Sequence, residues 1–420
     1  MRSGCRNALV SLVALALASS VGSCGPGRTL DPGETEPVRL GLVISLSGDL
    51  GASGQARLDA VRLAVREVNA AGGVLPGRTL ELVTEDGESL PEVAARVAAE
   101  IVANDGVVGL IGDSGSSSTL RIYEEVTQPA GILHASGSST SPLLEMEPRD
   151  LSDDGWFFRT APSDDTQAPV LARVMHERGC TSVTIVYVAN DYGTPFEAGM
   201  RARFAELGAT VMPSIAIADG LADYSEAAMA VATAAPQCAA LIAYPASGGR
   251  VMRAWSMLAT RPEVRWFGAD ALRQAGFLAE AGDAATGFFG TASVTDPNTP
   301  SYNAFSALYE ATFGRAPSTY DANFYDAAAL MLLSIAAAEE ADPAAMRAAL
   351  PMLSVPTGTI VRAGELGESI RLIRQGRTIN YEGASGPVDV DETGEIEGVF
   401  EVWRVDAGAF VRDELLFPDP

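Results

Sequence analysis

Short apolar runs alternate with longer segments of helical periodicity along most of this chain. The run Val38–Ile44 precedes residues 55–69, where apolar residues recur at three- and four-residue spacing from Leu58 to Val68. Such a run is typical of a buried strand, and such a spacing is typical of an amphipathic helix. Regular alternation of the two predicts parallel sheets with helices on both faces, which is the α/β fold class.

The predicted elements fall into two series and a final group. The first series has strands at 38–44, 79–84, 107–111 and 132–135 and helices at 55–69, 91–103 and 120–128. After a strand at 157–162, the second series has helices at 165–178, 194–207, 223–234, 248–259 and 271–281 and strands at 183–188, 209–215, 239–244 and 264–268. The final group has helices at 300–313, 322–340, 343–350 and 366–375 and strands at 388–390, 398–405 and 410–416. Because 420 residues exceed what one ordinary core holds, we expect two lobes.

Two strands of the first series end in turns rich in serine and glycine. One turn is Gly112–Thr119 and the other is Ser136–Ser141. Such turns place free backbone N–H groups at the carboxyl edge of the sheet, where open α/β sheets bind ligands. A helix amino terminus at this edge favours an anion such as a carboxylate. The sequence therefore predicts a cradle for a small molecule, with plain helix capping as the alternative.

The amino terminus has the features of a secretory signal. Arg2 and Arg6 precede the apolar run 8–21, which is too short to span a bilayer. The stretch that ends at Cys24 resembles the bacterial lipoprotein processing site. We therefore expect a lipoprotein signal peptide at residues 1–23, a lipid on Cys24 and a flexible tether over residues 24–37. An ordinary signal with an incidental cysteine is the alternative.

Charge and composition exclude several classes of function. All 29 of the Lys and Arg residues are arginine, and the formal net charge is -25. Without lysine the chain has neither a Walker-type phosphate loop nor a Schiff-base lysine for pyridoxal phosphate. The negative charge repels nucleic acid and anionic lipid heads. We therefore expect no nucleic-acid partner, and contact with the membrane only through the lipid.

Two cysteines remain in the chain after signal removal and lipidation. Cys180 and Cys238 each stand just before an apolar run of the second series. If those runs are neighbouring parallel strands, both cysteines lie at the same end of the sheet, in an oxidising compartment. A disulfide is then geometrically reasonable, and two buried free thiols are the alternative.

One short motif suggests an enzyme, but the positions of the histidines in the chain do not support that interpretation. Residues 112–115 spell the nucleophile motif of trypsin-like proteases, whose chemistry needs a histidine base and an acid. The chain has two histidines, His134 and His176, and both follow the serine, whereas the trypsin order puts histidine first. Two histidines and two cysteines supply no zinc site at a suitable spacing. We therefore expect no catalysis, no metal and no cofactor.

Several short segments resemble, in the same order, the bacterial branched-chain amino-acid binding proteins of ABC transporters. They are Ser47-Gly48, 69–73, Ser116–Thr119, Phe158-Arg159, 190–193 and 381–386. The resemblance covers residues 38–415. It implies a type I periplasmic binding fold, in which two doubly wound parallel-sheet lobes are joined by three crossover strands with a ligand cleft between them.

The resemblance also implies the lobe boundaries. The first lobe is expected to comprise residues 38–159 and 292–382, and the second residues 160–291 and 383–415. The three crossings are expected near 159–162, 291–296 and 381–386. Asp164 and Gln167 are interpreted either as a bridge between the lobes or as caps of the helix that follows.

Matching positions in the family imply the ligand-binding residues. Ser116 is expected to receive the ligand carboxylate, and Ser138, its neighbour Ser139 and Thr140 to hold the amino and carboxylate groups. Asp270 is expected to pair with the ligand ammonium from the second lobe, and Tyr192 to close over the ligand. For Asp270 the alternative is a simple cap, and for Tyr192 packing alone.

The chain departs from the family pattern at two aromatic positions of the side-chain pocket. Ser53 occupies the position in the first loop where many relatives have an aromatic residue, and Ala246 or Ser247 is expected to replace another after the strand at 239–244.

The function that the resemblance implies is capture of an amino acid, with an aliphatic branched side chain expected. The protein is expected to be a monomeric, lipid-anchored, extracytoplasmic binding protein that delivers its ligand to an ABC permease with its ATPases. One alternative is a sensor of the same fold for an amide, a urea-like compound or an aromatic acid. Another is a structural lipoprotein that has lost its ligand.

Overall fold

Strands and helices alternate in the order that the apolar pattern predicts. The computed structural model describes residues 36–145, 155–391 and 393–416. The expected signal peptide, Cys24 and the tether up to residue 35 lie outside the described residues. From Pro37 to Leu416 the described chain belongs to one compact unit.

The strands are β1 (Val38–Ile44), β2 (Leu80–Asp86), β3 (Gly109–Ile111), β4 (Leu133–Ser136), β5 (Phe157–Arg159), β6 (Ser182–Val188), β7 (Thr210–Val211), β8 (Ile215–Ile217), β9 (Cys238–Ile242), β10 (Arg265–Gly268), β11 (Phe289–Ser293), β12 (Thr359–Arg362), β13 (Ile379–Gly383), β14 (Gly386–Pro387), β15 (Phe400–Asp406) and β16 (Ala409–Leu416). The helices are α1 (Gly51–Ala70), α2 (Pro91–Asn104), α3 (Ser116–Ile122), α4 (Gln128–Ala130), α5 (Asp164–Glu177), α6 (Gly193–Glu206), α7 (Ser225–Ala234), α8 (Pro245–Met257), α9 (Ala275–Ala281), α10 (Pro300–Phe313), α11 (Asp321–Ala338), α12 (Pro343–Ala349) and α13 (Leu366–Arg374). A π-helical turn, Tyr123–Thr127, joins α3 to α4.

Two separate sheets repeat one topology. The first is parallel, with strand order β2-β1-β3-β4-β5. The second contains the parallel order β7-β6-β9-β10-β11, with β8 also paired to β6, and adds β15 and β16 in antiparallel orientation. In both sheets the order reverses beside the first strand, and this switch point is where doubly wound sheets bind ligands.

Each sheet has its own hydrophobic core, and we name the two halves of the molecule accordingly. The first lobe, around the first core, includes β1 to β5 together with α10 to α13 and β12 to β14. The second lobe, around the second core, includes α5 to α9, β6 to β11 and β15. Within the first lobe, α11 is buried from Asp321 to Ala336. Among the described residues, no helix has the length and apolar character needed to cross a membrane.

Three segments carry the chain between the lobes. They follow β5, β11 and β14, and their backbones pair with one another: Val294 donates to the carbonyl of Val399, and Arg159 to that of Gly394. Ala384 and Val388 pack in the first core, although the sequence assigned 383–415 to the second lobe. The strand expected at 388–390 is absent, because β14 pairs back on β13 and ends at Pro387. The third crossing therefore lies further along the chain than residues 381–386.

A disulfide joins the two parallel strands at the centre of the second sheet. Cys238 begins β9 and lies opposite Val183 of β6. Cys180 precedes β6 at the same end of the sheet, and the Cα atoms of the two cysteines are 5.7 Å apart. The structure has the covalent link rather than two free thiols, because neighbouring parallel strands enter the sheet from the same side.

Candidate functional site

The carboxyl ends of both sheets face one cleft between the lobes. The cavity in this cleft, together with its opening to solvent, encloses about 290 Å³ of space that no protein atom fills. Its first-lobe wall includes Arg57, Ser114, Ser116, Ser138, Thr140 and Tyr320. Its second-lobe wall includes Tyr192, Tyr244, Asp270 and Gln274. Five of the six residues that the sequence proposed for the ligand, all except Ser139, therefore line one cavity.

The serine turn after β3 is fixed by a buried carboxylate. Oδ1 of Asp113 accepts hydrogen bonds from the backbone N–H groups of Ser45 (2.8 Å) and Ser114 (2.5 Å). The bond from Ser45 joins the end of β1 to the end of β3 at the switch point, and the bond from Ser114 fixes the turn itself. Gly112 has a φ of +128°, and a Cβ at this position would lie 1.8 Å from the carbonyl oxygen of Val43. Only glycine fits a turn held this close to the neighbouring strand.

The helix after this turn begins earlier than the sequence predicted. It starts at Ser116 rather than at residue 120, so the serines form its first turn instead of a loop. Serine and threonine are tolerated there because the first N–H groups have no acceptor within the helix. Ser114 Oγ is buried and has no hydrogen-bond partner among the described residues. The wall thus presents a hydroxyl and helix-start N–H groups to the cavity.

The second turn contributes three residues with different surroundings. Ser138 Oγ donates to the carbonyl of Ser114 (2.9 Å). Thr140 Oγ1 donates to Oδ2 of Asp164 across the cleft (2.8 Å). Ser139 lies behind the turn, where its Oγ is 2.6 Å from Thr119 Oγ1. Of the predicted ligand-binding residues, Ser139 is therefore the one absent from the cavity wall, because its hydroxyl is hydrogen-bonded within the first lobe.

Asp270, after β10, is a buried carboxylate in the second-lobe wall of the cavity. Tyr192 donates to its Oδ1 (3.1 Å) from the same lobe, and Tyr320 donates to its Oδ2 (2.6 Å) from the other. Burial raises the pKa of Asp270, while both tyrosine hydrogen bonds lower it. Burial and the nearby charge of Asp270 raise the pKa of Asp164 well above its ordinary value. Two carboxylates in a desolvated space favour a cation between or beside them.

An aromatic wall lies on the second-lobe side. The ring of Tyr244 stacks on that of Tyr192, with centroids 5.5 Å apart. The sequence analysis expected Ala246 or Ser247 to replace an aromatic residue after this strand, but β9 ends at Ile242 and Tyr244 itself supplies an aromatic ring beyond the strand end. Ser247 is buried, and its Oγ donates to the carbonyl of Tyr244. Ser53, which the structure places in the first turn of α1 rather than in a loop, donates to the carbonyl of Leu50.

Sequence reasoning missed Arg57 and Tyr320. Arg57 stands one turn before Val61 on the apolar face of α1, and an arginine on such a face was the available signal. It is 1% exposed. Tyr320 precedes α11 with a φ of 73°, and no local pattern indicates that it meets Asp270, fifty residues earlier. Tertiary packing alone brings these side chains together.

His134 is part of the first lobe's interior. Its Nε2 lies 2.5 Å from the carbonyl oxygen of Gly112, and its Nδ1 lies 3.2 Å from Thr127 Oγ1. Burial lowers the pKa of His134 to about 4, so the imidazole is neutral near pH 7. It is thus not placed as a base for Ser114. No group of His, Cys, Asp and Glu side chains in the described ranges is arranged to hold a metal ion.

Two doubly wound lobes, with a cavity between their switch points, define a two-lobe ligand-binding protein of the type I periplasmic binding fold. The chain belongs to the family of periplasmic binding proteins, which it matches over residues 37–408. The fold predicted from the sequence is confirmed. Membership of this family implies an extracytoplasmic location.

One relative aligns with nearly the whole chain and another with part of it. The chain is 30% identical over 389 residues to the chemotactic signal transduction system substrate-binding protein BasB of Halobacterium salinarum, covering 90% of each chain. It is 30% identical over 159 residues to the Leu/Ile/Val-binding protein of Escherichia coli, covering 38% of this chain and 41% of that protein. The leucine binding protein LivK of Thermotoga maritima has the same fold, with a TM-score of 0.77, 20% identity and coverage of 91% and 99%. The resemblance to branched-chain amino-acid binding proteins is confirmed.

Proposed function

We propose that this protein captures an amino acid by closing its two lobes and delivers it to an ABC permease with its ATPases. The observation that supports this most is the position of Asp270, a buried carboxylate of the second lobe that faces the serine turns of the first. The ammonium of an amino acid requires a carboxylate such as Asp270, and its carboxylate requires donors such as those of the serine turns. The cavity thus has complementary charges at opposite walls.

The α-carboxylate is placed at Ser114 and Ser116. Backbone N–H groups at the start of a helix carry partial positive charge and favour an anion. Ser114 Oγ adds a donor that has no partner among the described residues. The α-ammonium is placed at Asp270, where closure excludes water and strengthens a charge-assisted bond.

Binding favours the closed form because both lobes contribute contacts. Ser141 Oγ donates to the carbonyl of Asp191 (2.5 Å), and the N–H of Asp191 donates to Ser117 Oγ (3.2 Å). These bonds join the lobes beside the cavity. A ligand held by both walls shifts the population toward closure, and rotation occurs about the three crossing segments. The permease then recognises the closed form.

The expected lipid anchor is part of the proposal. Cys24 would hold the protein at the membrane through its lipid, and the tether would let the lobes reach the permease. The variant Cys24→Ala should be released in soluble form, as membrane fractionation would reveal. Retention of that variant in the membrane would refute the anchor.

A second candidate is a chemosensory binding protein. It is favoured by BasB, a chemotactic signal transduction protein that aligns with 90% of this chain. The two roles use the same cleft and differ in the partner that recognises the closed form. Co-purification of the lipidated protein with either a permease or a membrane receptor separates them.

The test of ligand class is calorimetric titration of the purified protein with the common amino acids. Asp270→Asn should weaken binding by well over tenfold, because the buried ammonium loses its charged partner. Asp165→Asn is the matched control, since Asp165 is exposed at the start of α5. Unchanged affinity in Asp270→Asn would refute the proposed role.

A further inference from the structure

Arg57 is a buried cation in the wall of the cavity. It extends from α1 of the first lobe and is 1% exposed. Its Nε and Nη1 atoms have no hydrogen-bond partner in the described part of the chain. Burial of a charge without a partner is unfavourable. A protein keeps such a group where the partner arrives with the ligand.

The immediate neighbours of Arg57 are aromatic rings. Its Cζ lies 5.8 Å from the ring centroid of Tyr320 and 5.6 Å from that of Phe324. The rings interact favourably with the face of the guanidinium, but they accept none of its in-plane N–H bonds. The rings therefore hold the guanidinium in place and leave its Nε and Nη1 donors without an acceptor among the described residues.

The acidic residues whose charges most favour Arg57 form no hydrogen bond with it. Oδ2 of Asp321 accepts from the N–H (2.7 Å) and the hydroxyl (2.9 Å) of Ser318 ahead of α11, while its Oδ1 is buried without a hydrogen-bond partner among the described residues. Asp113 accepts from the turns at the switch point, and Asp270 from two tyrosines. None of them forms an ion pair with Arg57 within 4 Å in the described ranges. Their charges favour the guanidinium without saturating it.

The charges of the cavity exceed those of a simple amino acid. In the proposed function the α-ammonium pairs with Asp270 and the α-carboxylate binds at the serine turns. Arg57 is then a charged group of the cavity wall with no partner on a simple amino acid. The lining of the cavity is also largely polar. It includes three tyrosines and three serines, and Leu50 is the leucine among the lining residues. An aliphatic side chain would cover the guanidinium and keep it from both water and an acceptor.

We infer that the ligand carries a second acidic group and that Arg57 binds it, so the ligand class is the dicarboxylic amino acids. This inference rests on the proposed function. Guanidinium is well suited to a carboxylate, because its planar donors match the two oxygens. The family resemblance predicted a ligand with an aliphatic side chain, and we propose instead a ligand with an acidic side chain.

The experiment compares acids with their uncharged counterparts. The full mature protein is titrated by calorimetry with L-glutamate, L-aspartate, L-glutamine, L-asparagine and L-leucine. The wild type should bind one of the acids at least tenfold more tightly than its amide and than leucine. Arg57→Met should abolish that preference, so that the acid and its amide bind within a few-fold of each other. Arg62→Met, at an exposed position of the same helix, should change neither.

A second readout keeps the proposal testable whatever the variant's affinity. If Arg57 awaits a ligand group, Arg57→Met should raise the melting temperature of the unliganded protein, because it removes an unpaired buried charge. If the guanidinium is structural, the melting temperature should fall, which overturns the proposal. Tight binding of leucine with no binding of either acid overturns it too, but leaves the proposed function standing. Binding of no amino acid overturns both.

Discussion

The phenolic oxygen of Tyr320 in the first lobe lies 2.6 Å from Oδ2 of Asp270 in the second. This hydrogen bond crosses the cleft at the position proposed for the ligand ammonium. Closure of the lobes therefore changes the electrostatics of the site, because the carboxylate of Asp270 accepts this hydrogen bond only when the lobes meet. In the proposed function, Asp270 therefore has two roles, binding the ligand ammonium and stabilising the closed form.

Replacement of Tyr320 by phenylalanine should weaken ligand binding by about tenfold, because a buried carboxylate oxygen loses a donor at a cost of about 1–3 kcal/mol. The unliganded protein should unfold at nearly the same temperature, since the bond joins lobes rather than stabilising either core. Tyr302→Phe is the control in the same lobe. Equal affinity of Tyr320→Phe and the wild type would argue against a closure role for this bond.

Binding should weaken as pH rises, through a pair of carboxyl groups, one from each lobe, that are hydrogen-bonded to each other. Asp49 follows β1 in the first lobe, and Asp219 follows β8 in the second. Burial, then the hydrogen bond and charge of Asp49, raise the pKa of Asp219 from 3.8 to about 7. Because the raised pKa belongs to the closed form, its contribution is fully present below pH 3.8 and is lost as pH rises through about 7.

The measurement is the ligand dissociation constant at pH 5 and pH 8 for the wild type and Asp219→Asn. The wild type should bind more tightly at pH 5, and the variant should show a smaller difference. Any titration of the ligand itself affects both proteins equally. Identical pH dependence in the two proteins would count against the pair.

Reduction of the disulfide should destabilise the protein. Cys180 and Cys238 are 58 residues apart in sequence, and a loop of that length corresponds to about 4 kcal/mol of chain entropy. Urea unfolding with and without reductant measures the effect. The double variant Cys180→Ala/Cys238→Ala should be insensitive to reductant; no difference in the wild type would mean that the link adds little to the free energy of unfolding.

The turn at Gly112 should tolerate no side chain. Gly112→Ala places a Cβ 1.8 Å from the carbonyl oxygen of Val43 and should cost about 3 kcal/mol or more. Gly106→Ala is the matched control, since its φ is +63° with no atom within 4 Å of the added Cβ. It should cost only about 1–2 kcal/mol for the left-handed conformation. Similar unfolding curves for the two variants would contradict the steric argument.

The fold was predictable because its signals are local. Apolar periodicity placed the helix at 300–313 at its observed bounds, and the alternation of strands and helices predicted two doubly wound lobes. The observed helix boundaries differ from the predicted ones where serine occupies the first turn of a helix, a position that composition does not indicate. The helix starting at Ser116 is such a case, because the first turn of a helix has no internal acceptors to satisfy.

The site was predictable in part. Ser116, Thr140, Tyr192 and Asp270 line the cavity because they stand at strand ends or follow them, a position that topology places at the cleft. Arg57 lies within a helix whose periodicity predicts burial alone. Tyr320 belongs to a segment far along the chain, and nothing in its local sequence indicates that it meets Asp270.

The most direct test is a crystal structure of the protein with the amino acid that raises its melting temperature most. We predict a ligand in the cleft, with its ammonium about 3 Å from a carboxylate oxygen of Asp270 and its α-carboxylate at the hydroxyl of Ser114 and the N–H of Ser116. A ligand bound outside the cleft, or one whose ammonium lies away from Asp270, would contradict the account.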